Sequence, residues 1–327
     1  MSERAETAHG VPGPLFAIGG AEDKLKKRTV LREFVAAAGG DQARIVVIPT
    51  ASALGQEIVD LYAALFGTLG AAEVSSVRPE TRADAEEPSY VEPLAEATGI
   101  FMTGGNQLKL SGVVAGTAFG KAILAAHERG AAVGGTSAGA SILAEHMIAF
   151  GRAGTTPRQR MTQLSNGLGL VKQAIIDQHF GQRNRYGRLL SLVAQSPALL
   201  GIGVDEDTAA VIRGDRLEVV GRGAVTIFDG SRITSNAHSA RRSAALLASG
   251  VVLHVLPESA TFDLSTRSLV GFGGEPAPGE VAVLQAAVDD LRELAAQIAA
   301  EGVSPSYYAE RRRRASKQPR PADRPKP

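Results

Sequence analysis

Gly134-Gly135-Thr136-Ser137-Ala138-Gly139-Ala140-Ser141 is the stretch whose reading decides the fold. It follows a short apolar run, Ala131-Ala132-Val133, and leads into Ile142-Leu143-Ala144, a sequence of helical character. Glycine–x–serine–x–glycine between a strand and a helix is the nucleophile-elbow pattern. The reason is steric: the turn is so sharp that the residues flanking the serine must lack side chains. The N–H that follows the serine, that of Ala138, then points at the substrate from a helix N-terminus. There it can stabilise an oxyanion together with the helix dipole. A glycine-rich turn with no chemistry carries the same letters, so the surrounding chain has to decide.

Upstream, short apolar runs alternate with helical patterns. Pro14 to Ile18 reads as a strand ending in Gly19-Gly20-Ala21-Glu22-Asp23, and Lys24 to Ala38 has helical spacing, with Val30, Phe34 and Val35 on one side. Arg44 to Thr50 (RIVVIPT) is a β-branched run of the kind buried on both faces of a parallel sheet. A helix is expected over 55–69, strands at 73–77 and 99–102, then Thr103-Gly104-Gly105-Asn106-Gln107, and helices over 107–114 and 120–129. This βαβα order predicts an α/β fold, a three-layer α/β/α sandwich around a mostly parallel sheet. Its glycine-rich turns fall at strand C-terminal ends, where such sheets place ligands. No turn matches a dinucleotide fingerprint, and Gly120-Lys121 lacks the rest of a phosphate loop.

Downstream, Phe150 to Leu168 is polar and reads as a long loop near the site, with Arg152, Arg158 and Arg160. Ala174-Ile175-Ile176 leads to Asp177-Gln178-His179-Phe180, and 199–204 leads in the same way to Asp205-Glu206-Asp207. Further runs, ending near 256, predict a β-rich and mostly antiparallel C-terminal half. Leu284, Val288, Leu291, Ala295 and Ile298 mark an amphipathic helix over 280–300. The expected organisation is a disordered N-terminus (1–13), one domain (14–301) and a disordered basic tail (302–327).

The chain of 327 residues has 44% hydrophobic residues, ample for a large core. It has no cysteine, which excludes disulfides, thiolate metal sites and a cysteine nucleophile. Its formal charge of +1 hides an asymmetry. Residues 311–327 carry eight basic groups and one acid, leaving 27 basic against 33 acidic residues in the body, about −6 against +7 for the tail. An acidic body argues against nucleic acid binding by the fold. The polar first residues lack a signal-type apolar core and no run is long enough to span a bilayer, so a cytoplasmic location is the expectation.

A serine nucleophile needs a base, and the base needs an orienting carboxylate. Of the six histidines, His9 lies in the polar start, His127 and His146 in expected helices, His238 in a polar loop and His254 in an apolar strand. His179 follows directly on a strand, and strand ends on the elbow's sheet edge can converge. The carboxylate candidates are Asp205, Glu206 and Asp207. Alternation along an extended segment turns either Glu206 or the Asp205/Asp207 pair toward the site. Arg183, Arg185 and Arg188 follow His179 closely, and three planar guanidinium forks there point to an anionic substrate group. The order Ser, His, acid differs from that of α/β-hydrolases, so the elbow belongs to another fold.

At these residues the chain resembles the cyanophycinases, serine peptidases related to aspartyl dipeptidases on a fold shared with class I glutamine amidotransferases. The likeness rests on IGGAEDK (18–24), TGGNQ (103–107), GGTSAGAS (134–141), DQHF with its arginines (177–188) and GVDEDTA (203–209) in order. It implies Ser137 as nucleophile, His179 as general base and Glu206 as orienting acid. Gly105 and Ala138 would supply oxyanion N–H groups, and Gln107, Asp177, Gln178, Arg183, Arg185 and Arg188 would bind substrate. The implied substrate is cyanophycin, a polyaspartate with arginine on each side-chain carboxyl through an isopeptide bond, released as β-aspartyl-arginine dipeptides. No metal or organic cofactor is implied, and a homodimer is compatible with the family. Asn106 stands where the family often has aspartate. The other readings are a dipeptidase for short aspartyl peptides and a non-catalytic polyanion-binding protein of the same fold.

Overall fold

The computed structural model describes residues 11–273; the helix expected over 280–300, the basic tail and most of the expected N-terminal segment lie outside the described residues. Strands β1 (Leu15–Ile18), β2 (Arg44–Ile48), β3 (Glu73–Ser76), β4 (Gly99–Met102) and β5 (Ala132–Thr136) alternate with helices. These are α1 (Thr29–Ala37), α2 (Gln56–Thr68), α3 (Pro88–Val91), α4 (Gln107–Val114) and α5 (Ala118–Glu128), with α6 (Ala138–Ser141) directly after β5. The second half begins with β6 (His146–Gly151), β7 (Thr162–Asn166), β8 (Ala174–Gln178), α7 (Tyr186–Gln195), β9 (Leu200–Val204) and β10 (Thr208–Arg213). It ends with β11 (Arg216–Gly221), β12 (Val225–Asp229), β13 (Thr234–Ser235), β14 (Ala248–Ser249), β15 (Val252–Leu256), β16 (Ala260–Asp263) and β17 (Ser268–Phe272).

The main sheet has nine strands in the order β17-β16-β11-β10-β1-β5-β4-β2-β3. The five strands from β1 to β3 pair in parallel, as the βαβ pattern demands. From β1 outward, β10, β11, β16 and β17 add antiparallel strands, so the β-rich second half extends the same sheet. A second sheet, β15-β12-β9-β8, joins β8 and β9 in parallel with Gln178 opposite Val204. Two strand ends, at His179 and Asp205, therefore lie side by side.

Alternation along the buried strands loads both faces of the main sheet. Phe16, Ile18, Ile45, Val47 and Phe101 pack with Phe34 of α1 and Phe66 of α2. Phe34 lies edge-on to Phe16 and Phe101 at 5.4 and 5.3 Å. Such pairs contribute about 0.5–1.5 kcal/mol each beyond their buried area. Leu15, Ala17, Val46, Ile48 and Val133 turn the other way. They join a core with Leu110 of α4, Phe119 of α5 and Ala138 of α6, and with Ile176 and Ile202 of the second sheet.

Three elements differ from expectation, each for a local reason. Helix α1 begins at Thr29 because Asp23 takes the N–H groups of Leu25, Lys26 and Arg28 at 2.9–3.1 Å, wrapping that segment into a turn. Those donors hold the Asp23 carboxyl far below the usual carboxylate range. The segment 150–168 is largely a hairpin, β6 against β7, and His146 opens β6 instead of ending a helix. The helix behind the elbow is a single turn of four residues. A macrodipole of that length is small, so the individual N–H groups matter more than the dipole. Among the described residues no single helix is long and apolar enough to cross a membrane.

Candidate active site

The elbow's glycines are set by contact. A Cβ at Gly135 would come within 2.4 Å of the Gly139 carbonyl carbon, and one at Gly139 within 2.2 Å of the Met102 oxygen. Strand, turn and helix pack too closely for any side chain there. Ser137 itself sits at φ 54°, ψ −106°, a backbone strain of the kind concentrated at reactive turns. Its N–H donates to the Ile18 oxygen at 2.9 Å, which pins the turn to the end of β1.

His179 approaches from the second sheet. The expectation that one sheet edge carries every strand end is corrected here: Ser137 follows β5 of the nine-stranded sheet and His179 follows β8 of the other. The 205–207 segment is the link, leaving β9 of the second sheet and entering β10 of the first. The Gly19–Gly20 turn ties the pieces together, because the Gly19 oxygen accepts from the His179 N–H at 2.7 Å and the Gly20 oxygen from the Asp207 N–H at 2.9 Å.

The result is a chain of contacts. Ser137 Oγ lies 3.0 Å from His179 Nε2, and His179 Nδ1 lies 2.6 Å from Glu206 Oε1. With the carboxylate accepting from Nδ1–H, Nε2 is left as an acceptor for the serine hydroxyl. His179 is buried, and burial lowers its pKa from the ordinary value. The Glu206 hydrogen bond opposes that fall, and the positive charges of Arg183 and Arg185 reinforce it. The imidazole is therefore neutral at pH 7, the state a proton acceptor needs.

The alternation left open at 205–207 is resolved by backbone donors. Asp205 accepts from the N–H groups of Gly181 (2.9 Å) and Ala224 (3.3 Å), and Asp207 from that of Asp23 (2.7 Å). Glu206 faces the imidazole, its own N–H held by Gln182 Oε1 at 3.0 Å. Among the described residues neither the Gly105 nor the Ala138 N–H finds a protein acceptor. Gly105 sits at φ 143°, and a Cβ there would lie 2.0 Å from the Ala51 oxygen. Neighbouring Gly104 borders the Ser137 side chain. Gln107 is half-buried and donates from Nε2 to the carbonyls of Ile148 and Ala149, at 3.3 and 2.9 Å, leaving Oε1 as an acceptor.

The arginine cluster is largely paired within the protein. Asp177 is fully buried and receives Arg188 in a two-point pair, Nε to Oδ2 at 2.6 Å and Nη2 to Oδ1. Arg185 Nη1 reaches the same carboxylate at 3.1 Å and also the Gln178 main-chain and side-chain oxygens at 2.6 and 2.9 Å. Burial pushes the Arg185 pKa down to about 10, with Asp177 countering, and it stays charged. Asp177, Gln178, Arg185 and Arg188 thus form an internal network beneath His179, not an open fork. Arg183 alone of the three arginines is exposed.

Sequence reasoning passed over Glu22. Its buried carboxylate accepts from Tyr62 Oη (2.5 Å), Thr136 Oγ1 (2.6 Å) and Lys24 Nζ (2.8 Å). Burial, then the Glu22 charge, raises the Tyr62 pKa, so the phenol remains a donor. Thr136 immediately precedes Ser137, which makes Glu22 an anchor for the elbow. Its signals in the sequence are its place in IGGAEDK (18–24), one of the stretches that carry the resemblance, and its position just after two glycines at a strand end. Among the described residues no group of three or more His, Asp or Glu side chains is arranged to hold a metal ion.

The pattern described as peptidase family S51 matches residues 15–220. Curated relatives named cyanophycinase include one from Nostoc sp., 40% identical over 268 residues that cover 78% of this chain and 87% of the relative. One from Thermosynechococcus vestitus is 39% identical over 282 residues, covering 82% and 84%. One from Geminocystis herdmanii is 39% identical over 226 residues, covering 68% and 83%. The crystal structure of a peptidase from an acI-B1 Actinobacterium superposes with a TM-score of 0.53 at 23% identity, over 75% of this chain and 98% of that one. At that identity the likeness is one of fold.

Proposed function

The chain belongs to peptidase family S51 and is a serine-type peptidase; from that premise we propose that it degrades cyanophycin from a chain end, releasing β-aspartyl-arginine. The single observation that carries the reading is the contact chain Ser137 Oγ–His179 Nε2–Glu206, at 3.0 and 2.6 Å. Ser137 Oγ attacks the aspartyl main-chain carbonyl while His179 Nε2 takes its proton. The Gly105 and Ala138 N–H groups meet the oxyanion that forms. His179 then returns the proton to the leaving amine, and an acyl-Ser137 ester remains. In the second half, water gives a proton to the same nitrogen as it attacks the ester carbonyl, and His179 passes that proton to the departing Ser137 Oγ, which frees the serine and the acid product. Glu206 keeps the imidazole in its tautomer and stabilises the imidazolium in both halves. Gln107 Oε1 and the Arg183 guanidinium are the groups assigned to hold the substrate unit.

Mass analysis of the products after incubation with purified cyanophycin tests the reading. β-Aspartyl-arginine from the parent, with a fall on the order of 10⁴- to 10⁶-fold in Ser137→Ala, is the expected result. Cleavage of Asp-X dipeptides with no action on the polymer would overturn the substrate. Substantial turnover by Ser137→Ala would overturn the covalent mechanism.

A further inference from the structure

The hairpin of β6 and β7 carries between its strands a ten-residue loop, 152–161, that the mechanism above does not use. This loop folds against the 237–246 segment and is stapled there. Gln159 N–H donates to the Ala244 oxygen at 2.9 Å, Ser243 N–H to the Gln159 oxygen at 3.0 Å, and Leu246 N–H to the Pro157 oxygen at 2.9 Å. Arg158 and Ala245 form an antiparallel bridge. Between the two segments opens a cavity of about 670 Å³. Arg152, Arg158, Arg160 and Arg242 line it, and no carboxylate does. Among the described residues none of these four arginines forms an ion pair. Arg160 is held there at φ 57°, a conformation L residues seldom adopt.

Four guanidinium groups converge without a counter-charge on a body that is net acidic. All four are exposed side chains, and their summed charge gives the cavity a positive potential that attracts an anion. Its place in the fold ties it to the site. Gly154 N–H donates to the Asn184 oxygen at 2.7 Å and Gly187 N–H to the Gly154 oxygen at 2.8 Å, fastening the cavity wall to the turn that leaves His179. Strand β6 of the same hairpin receives the Gln107 side chain. One short hairpin therefore spans both flanks of the catalytic contacts and ends in the arginine-lined cavity.

We propose that this cavity is a distal subsite that holds free carboxylates of the polymer, at units away from the bond being cut. The inference rests on the substrate reading above. Arginine joined through its amino group leaves one carboxylate free on every unit, set a side chain's length from that arginine's own guanidinium, so successive units offer a regular row of carboxylates. Guanidinium forks are the side chains suited to them. On this proposal an extended substrate follows the hairpin into the cavity, whereas a dipeptide held at Ser137 makes no use of it.

The test uses the full chain with Arg152→Gln, Arg160→Gln and Arg242→Gln combined, leaving Arg158 to keep its bond to the Ser243 oxygen. On soluble cyanophycin the KM should rise about tenfold or more with kcat within about threefold, and the salt dependence of kcat/KM should flatten. The three lysine replacements should recover most of the loss, because charge is the operative property. Calorimetry with poly-L-aspartate on a Ser137→Ala background gives a reading independent of hydrolysis, and the glutamine variant should bind it about tenfold more weakly. If the parent does not cleave cyanophycin but this difference persists, the substrate reading falls and the carboxylate site stands. Equal poly-L-aspartate binding in parent and variant, or a variant that loses only single-stranded RNA binding at the parent's KM, overturns the inference.

Discussion

Gly20 lies against the face of the His179 imidazole so closely that a Cβ added there would sit 2.3 Å from Cε1 and 2.5 Å from Nε2. Gly20 is also at φ 100°, outside the range of ordinary L residues. The glycine is thus part of how the imidazole is placed, since any side chain would push the ring off Ser137. Gly20→Ala should lower kcat/KM by about 10²-fold or more, the scale of a 1 Å misplacement, while Ser137 stays present and the chain folded. Steady-state kinetics beside a circular-dichroism melt measure this; parent-like kinetics would show that the ring has room to move.

The pH dependence follows from the charges around the imidazole. Burial depresses the His179 pKa, and the Arg183 charge depresses it further. Removing that charge makes the imidazolium easier to form, so the pKa rises. Arg183→Ala should therefore move the acid limb of the kcat/KM profile to higher pH, and Arg183→Lys should move it less. A limb that stays in place would mean that solvent screens Arg183 from the ring.

Glu206→Gln works in the opposite direction. The carboxylate supports the protonated ring, so its loss should carry the acid limb to lower pH. The amide also ceases to hold Nδ1–H, and kcat should fall by about 10³–10⁴-fold as the tautomer is lost. Asp205→Asn offers the contrast, because Asp205 holds the N–H groups of Gly181 and Ala224 instead of the imidazole. Its effect should appear mainly in the melting temperature.

Asp177 and the arginines beneath His179 separate stability from recognition. Asp177→Asn leaves the buried Arg185 and Arg188 guanidiniums short of their counter-charge, and breaking such a pair costs about 3–5 kcal/mol. Urea denaturation followed by circular dichroism should show that loss. Arg183→Ala, at an exposed position, should stay within about 0.5 kcal/mol of the parent. Equal stability of the two variants would show that the Asp177 pairs contribute little to the fold.

The sequence by itself determined what short-range sterics and periodicity dictate. The alternating βα pattern requires a parallel sheet, and Gly135 and Gly139 around Ser137 require a turn that no side chain could enter. Three questions were beyond it. Helix α1 was read too long because nothing local reveals that Asp23 captures the N–H groups of the next turn. The 150–168 segment was read as a loop because strands β6 and β7 are stabilised by pairing with each other, not by composition. The pairing of Arg185 and Arg188 with buried Asp177 was not legible either, because an arginine's letters do not say whether a buried carboxylate awaits it.

Only the tertiary structure decided that Ser137 and His179 arrive from two different sheets, and that backbone N–H groups draw off Asp205 and Asp207 while Glu206, the acid the resemblance implies, lies beside the ring. The physical reason is common to all of these. The letters of a sharp turn lie side by side in the chain, but the direction of a charged side chain depends on partners brought near by the whole fold.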